Sequence, residues 1–221
     1  LGQHVGTALI GLIVGFWLGT WIGNRIESPL IFQNDWAADL GLIFGLFGWL
    51  GGIGALNYPL AKMLGRELAE PNNQGWIRYF KFTVDHKVVG LQYTIGVLLF
   101  LFTGGLLAMG IRTELLSPTN HIISPDVYLQ IVSAHGTIMM MMASSLVLGP
   151  LGNYFVPLMI GSRRMAFPRL EATSFWMFIT GLMCIIASFG YGGFDTGWTG
   201  YAPLQTQDFA GIDCYLVGFA I

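Results

Sequence analysis

The chain has 221 residues, of which 54% are hydrophobic and only 10% charged, and its mean hydropathy is +0.63. Soluble domains carry nearer a quarter charged residues, so this composition excludes an ordinary soluble globule and points to a membrane protein. A net charge of −2 without a basic patch excludes nucleic acid as a partner. The expected fold is all-α, a polytopic transmembrane helix bundle.

Roughly 20 apolar residues cross a bilayer as a helix. Five such spans fit, at residues 5–22, 40–60, 88–111, from 128 to about 149 or beyond, and 172–189, with the start of a sixth near residue 213. Turn-rich stretches separate them: ESP at 27–29, EPNN at 70–73, LSPTN at 116–120, GSRR at 161–164 and YGGFDTG at 191–197. Lys62, Arg66, Arg78, Lys81 and Lys87 fall between spans two and three, and Arg163, Arg164 and Arg169 between spans four and five. Excess positive charge marks cytoplasmic loops, so the N-terminus is expected inside. The first apolar segment reads as a retained span. It has no basic leader and no small-x-small cleavage site. Because CYLVGFAI at the C-terminus is apolar to its last residue, the sequence reads as part of a longer or split chain.

Spans one and two are patterned in glycine. Gly11, Gly15, Gly19 and Gly23 recur every four residues, as do Gly41 and Gly45, and Gly48 and Gly52. Small residues at that spacing let helix backbones approach closely, so these spans read as packing elements without redox groups. Cys184 and Cys214 belong to no CxxC pair and read as small hydrophobes.

In SAHGTIMMMM, 133–142, His135 falls about two turns inside the outer end of span four. It is the one histidine within an expected span, since His4, His86 and His121 sit at ends or in loops. An ionisable residue in a span is a functional candidate, and a neutral imidazole suits a transition metal or serves as a haem axial ligand. The bland alternative is a histidine bonded to a neighbouring helix. Gly136 leaves room beside it for a flat macrocycle. Arg112, at the outer end of span three, is a cation for a polar haem edge or simply snorkels to the interface. A zinc hydrolase fails on inventory, with no HExxH and no carboxylate beside His135.

FTVDHKVVGLQY (82–93), GIRTEL (110–115), AHGTIM (134–139), GNYFVPLMIGSRRMAFPRLEATSFW (152–176) and TGWTGYAPL (196–204) together resemble subunit I of the haem-copper terminal oxidases. The resemblance covers about 80–221 and divides the chain into an extra two-span segment, 1–80, and the N-terminal part of an oxidase core, 81–221. It implies that His135 is an axial ligand of a low-spin haem (haem a or another type) and that Arg112 contacts a substituent of that haem's ring. It implies a possible calcium or sodium ligand at Glu114 and a proton-path residue at Asn153. No catalytic residue falls in this chain. The copper histidines and the high-spin haem ligand, which make the haem–copper centre, are expected outside it. Trp198 and Tyr201 fall in the segment before the next conserved helix, where Ala202 replaces a proline.

Where the family usually opens a proton path with aspartate, this chain has Arg164. Glu171 stands seven residues on, in place of an asparagine, as the candidate replacement. Quinol oxidases of the family carry arginine, aspartate and histidine where this chain has Thr103, Leu107 and Val127, and only Gln130 matches. The expected donor is therefore cytochrome c or a similar protein, delivered through a copper-bearing or cytochrome subunit. A quinol-oxidising member is the alternative. Other oxidase subunits and membrane lipid are the expected partners, in a bacterial or archaeal plasma membrane. The rival from another class is a non-catalytic oxidase-like scaffold.

Overall fold

The computed structural model describes residues 4–26, 36–67, 75–118, 122–204 and 210–221. Their regular structure is helical, with no strand among the described residues. Four helices are long and apolar enough to cross a membrane, and a bent pair makes a fifth candidate. His121 lies outside the described residues.

The chain forms two compact units, residues 1–89 with 162–180, and 90–161 with 181–221. In the first, helix α1 (Val5–Gly23) begins at an N-cap that pattern reading left as interface. His4 Nδ1 accepts the amide hydrogens of Gly6 and Thr7 at 3.0 and 3.4 Å, and Thr7 Oγ1 accepts that of His4 at 3.0 Å. These bonds satisfy donors that a helix start leaves open. Thr7 Oγ1 also bonds the Gly52 carbonyl of helix α2 (Trp36–Ile53) at 2.8 Å.

The two helices run antiparallel with backbone against backbone. A Cβ on Gly11 would strike the Gly48 carbonyl, one on Gly15 that of Phe44, and one on Gly19 that of Leu40. Glycine costs a helix about 1 kcal/mol per position relative to alanine. Here that cost is offset by dispersion contact between backbones, the main attraction open to helices in lipid. Ala8 and Ile53 are fully buried, while Trp17, Trp21 and Phe47 point outward.

The span expected over 40–60 is not straight. Its axis turns by 85° between Ile53 and helix α3 (Asn57–Met63). Ala55 N donates to Leu50 O and Gly54 N to Gly51 O, while Gly54 adopts φ 98°. This is a Schellman stop, which needs a left-handed residue that glycine alone adopts cheaply. The first half of helix α7 (Pro168–Ser188) belongs to the same unit. Its Trp176 ring lies 6.0 Å from Trp49, and the Arg169 guanidinium stacks 3.6 Å over Tyr58.

In the second unit, helix α4 (His86–Glu114, from Gly90 onward) packs antiparallel on helix α5 (Pro125–Leu146). Contacts at Gly104 with Met139, Tyr93 with Gly149 and Gly90 with Tyr154 mark the seam. Helix α5 starts at Ser124, whose hydroxyl accepts Val127 N at 3.3 Å, with Pro125 opening the first turn. It runs beyond 149, as the sequence allows. Residues Val147–Phe155 continue as a π-helical stretch around Pro150, then as the short helix α6 (Val156–Met159), making one run of 35 residues. Proline lacks an amide hydrogen and crowds the preceding turn, and the wider π turn relieves both. The second half of α7 packs against helix α8 (Ala210–Ala220), which is the start expected near 213.

Candidate haem-ligand site

His135 lies on α5, half-buried, and its Nδ1 is 2.9 Å from the carbonyl of Gly104 on α4. A carbonyl only accepts, so Nδ1 carries the hydrogen. In the neutral ring this leaves the lone pair on Nε2. Such a bond to the far nitrogen is how proteins fix the tautomer and aim of a metal-ligating histidine.

Gly104 earns its place twice. A Cβ there would lie 2.8 Å from Met139 Sδ, so a larger residue would force the Met139 side chain to shift in the seam across which the imidazole reaches the carbonyl. Next to it, Gly105 has no atom within 4 Å of where a Cβ would stand. Gly136, beside the histidine, would meet only Trp198 Cδ1, at 3.9 Å. The residues thus fit a haem: a fixed imidazole with an available Nε2, and two stretches of backbone that carry no side chain.

Arg112 lies seven residues beyond Gly105 on the same helix. Seven residues make almost two full turns, so the two share a face, about 10 Å apart along the axis. The side chain is exposed in the last turn of α4, where a cation also complements the helix dipole.

Glu114 caps the loop after α4. Its Oε2 accepts the amide hydrogens of Ile122 and Ile123 at 2.9 and 3.1 Å, and the side chain lines a cavity of about 430 Å³ with Ser117, Pro118, Ile123 and Tyr128. Through these two bonds the carboxylate holds the loop. Glu114→Ala should therefore speed hydrogen exchange at Ile122 and Ile123 roughly tenfold or more, since each charge-assisted bond contributes about 1.5 kcal/mol or more. Glu114→Gln should retain most of the protection.

Asn153 is 2% exposed in the π stretch and donates from Nδ2 to Leu148 O at 3.2 Å. Glu171 is half-buried in the first turn of α7 and belongs to the first unit, whereas Asn153 belongs to the second. Arg164 is exposed. His86, expected at an end or in a loop, opens α4 and is 5% exposed.

Two polar groups near His135 have structural roles that the sequence pattern does not show, Ser133 and the quinol-site match Gln130. Ser133, two residues before His135, accepts Gly197 N through its hydroxyl at 3.0 Å, and Gln130 Nε2 donates to Gly192 O at 2.8 Å. Together they tie the segment carrying Trp198 to α5. The Gly104–Gly105 pair was visible as two poor helix formers inside a span, which is a signal of close packing.

A family model described as Cytochrome C and Quinol oxidase polypeptide I matches residues 88–221. The chain belongs to that family. It is 44% identical over 137 residues to cytochrome c oxidase subunit 1 of Thermostichus vulcanus, covering 62% of this chain and 25% of the relative. Against quinol oxidase subunit 1 of Bacillus subtilis it is 41% identical over 143 residues, 63% of this chain and 22% of the relative. The probable quinol oxidase subunit 1 of Staphylococcus haemolyticus is 36% identical over 199 residues, 88% of this chain and 28% of the relative. The chain spans about a quarter of the length of these curated relatives.

Proposed function

We propose that this oxidase polypeptide I chain supplies one axial ligand, His135, to a low-spin haem in a respiratory terminal oxidase. The complete enzyme would reduce O2 to water and move protons across a bacterial or archaeal plasma membrane, with the N-terminus of this chain in the cytoplasm. The bond from His135 Nδ1 to the Gly104 carbonyl supports the reading, because it presents a neutral Nε2 in a fixed direction. A low-spin haem held there would supply one-electron transfer from the donor toward a haem–copper centre. His135 would orient and hold it, and Arg112 would add positive charge near its edge.

Arg112→Ala should lower the midpoint potential of that haem. A unit charge about 10 Å away in an effective dielectric near 20 contributes about 1.7 kcal/mol, or on the order of 50–70 mV. Redox titration of the low-spin band checks this, and an unchanged potential would remove Arg112 from the site.

Thr103, Leu107 and Val127 in place of the quinol-site residues favour cytochrome c or a similar protein as donor. Gln130, the one match, is engaged by the loop carbonyl of Gly192. The long match to a probable quinol oxidase favours the second reading, a quinol donor. Oxygen uptake by the complete enzyme with reduced cytochrome c, and separately with a reduced quinol, decides between them. The reduced-minus-oxidised spectrum of the same preparation tests both. Absence of any haem band would leave a scaffold.

Arg164, exposed before α7, would repel protons at the usual entry. Glu171 is the carboxylate we assign to replace it, and Asn153 is assigned separately to proton uptake.

A further inference from the structure

Helices α7 and α8 cross where two glycines meet. A Cβ on Gly218 would lie 2.7 Å from the Gly181 carbonyl, and Gly211 approaches Gly193 at the other end of the pair, so the helices run antiparallel and nearly touch. Cys184 stands three residues after Gly181, and Cys214 four residues before Gly218. Spacings of three and four keep each cysteine on the face of its neighbouring glycine. In an antiparallel pair, both steps lead in the same direction from the crossing, by about 4.5 and 6 Å. Cys184 Cβ itself lies 2.9 Å from the Cβ position of Gly218. The helical spacing thus places the two cysteines on facing sides of the helices, one turn from the crossing. Neither is in a disulfide, with Cys184 half-buried and Cys214 3% exposed.

Disulfides need α-carbons roughly 4.4–6.8 Å apart, a separation that ordinary helix packing at 8–10 Å rarely gives. The glycine crossing removes the side chains that would hold the backbones apart. We propose that Cys184 and Cys214 form a redox-responsive pair, converted by a hydroperoxide into a disulfide that joins α7 to α8.

Cys184, the more accessible, reacts first. Its sulfur attacks the peroxide, the O–O bond breaks, and the alcohol leaves with the thiol proton, giving a sulfenic acid. The Cys214 sulfur then attacks the Cys184 sulfur. The S–O bond breaks, and water leaves with the proton of Cys214. Two thiols are oxidised and one hydroperoxide is reduced to alcohol and water. Tyr215, next to Cys214, donates to the Trp198 carbonyl at 2.6 Å, so the bridge would also fix the segment that lies beside Gly136.

The test treats the intact oxidase complex with tert-butyl hydroperoxide, then denatures it, alkylates with N-ethylmaleimide and maps peptides by mass spectrometry. The expected result is a peptide linked between residues 184 and 214, with both cysteines unlabelled until dithiothreitol frees them. Its yield should be at least tenfold above that from complex unfolded in detergent before the peroxide. Equal yields, or Cys184 oxidised to sulfinic acid while Cys214 still takes maleimide, would overturn the proposal. In Cys214→Ser, dimedone should trap a sulfenic acid at Cys184 that the native complex does not show. The native-complex measurement stands without this variant.

Discussion

His135→Gly in the full-length subunit is expected to lower the low-spin haem band at least tenfold, and millimolar imidazole is expected to restore part of it. The argument rests on what the side chain contributes and what remains without it. The native ring is held by one bond to Gly104 O, which commits its tautomer and direction before any ligand arrives. Glycine at 135 removes the ring and leaves the α4–α5 seam intact, because the close approach depends on Gly104 and Met139. Free imidazole can then occupy the vacated space and meet the same carbonyl. It lacks the tether, so recovery should need high concentration and be incomplete. His135→Ala should show the same loss with weaker rescue, since the methyl group takes some of that space. A full-strength band in either variant would mean that iron is held elsewhere, and the functional reading would fail with it.

The second large effect concerns the α1–α2 hairpin. Gly48→Ala should weaken it by about 1–3 kcal/mol, the usual cost of overpacking, and Gly45→Ala should not. The two glycines lie three residues apart on α2 and look alike in the sequence. At Gly48 a Cβ would strike the Gly11 carbonyl, which is backbone and cannot swing aside. At Gly45 the nearest atoms to a Cβ are Leu12 O at 3.5 Å and Phe16 Cβ at 3.6 Å, ordinary contact. There alanine's better helix propensity is a gain of up to about 1 kcal/mol. In lipid no water-driven term compensates a lost backbone contact, so the difference should be read out directly. Introduced cysteine pairs across the hairpin, scored for crosslinking as detergent is titrated, would measure it. Equal losses at both positions would show that the seam is not as tight as described.

Much of the architecture was legible because apolar length is a strong signal. The spans expected at 88–111 and from 128 fall within the helices His86–Glu114 and Pro125–Leu146, and the four-residue glycine spacing marks the close approach of α1 and α2. The stop at Gly54 was not, because residues 40–56 are apolar or glycine throughout, and a left-handed residue leaves no mark on hydropathy. Helix α7 begins at Pro168 rather than 172 because its first turn, PRLE, is polar. Chain pattern finds where a helix is greasy, while a helix starts where its first bond closes. For the site, His135 stood out as an imidazole in a span, but its partner did not. The Gly104 acceptor is a backbone carbonyl, and every residue has one, so only the fold could single it out.

One consequence of the π stretch concerns rotational phase. Gly149 and Tyr154 both press on α4, against Tyr93 and Gly90 respectively, although they are five residues apart. In an α-helix five residues turn the chain by about 500°, leaving the second some 140° away from the first. A turn closed over five residues brings it back nearly into line. The stretch around Pro150 therefore acts as a one-residue insertion that the helix absorbs without a loop. Deleting a single residue between 147 and 155 and replacing Pro150 would restore a regular screw. The chain beyond would then keep nearly its present phase, since four α-helical residues turn it by about 400°.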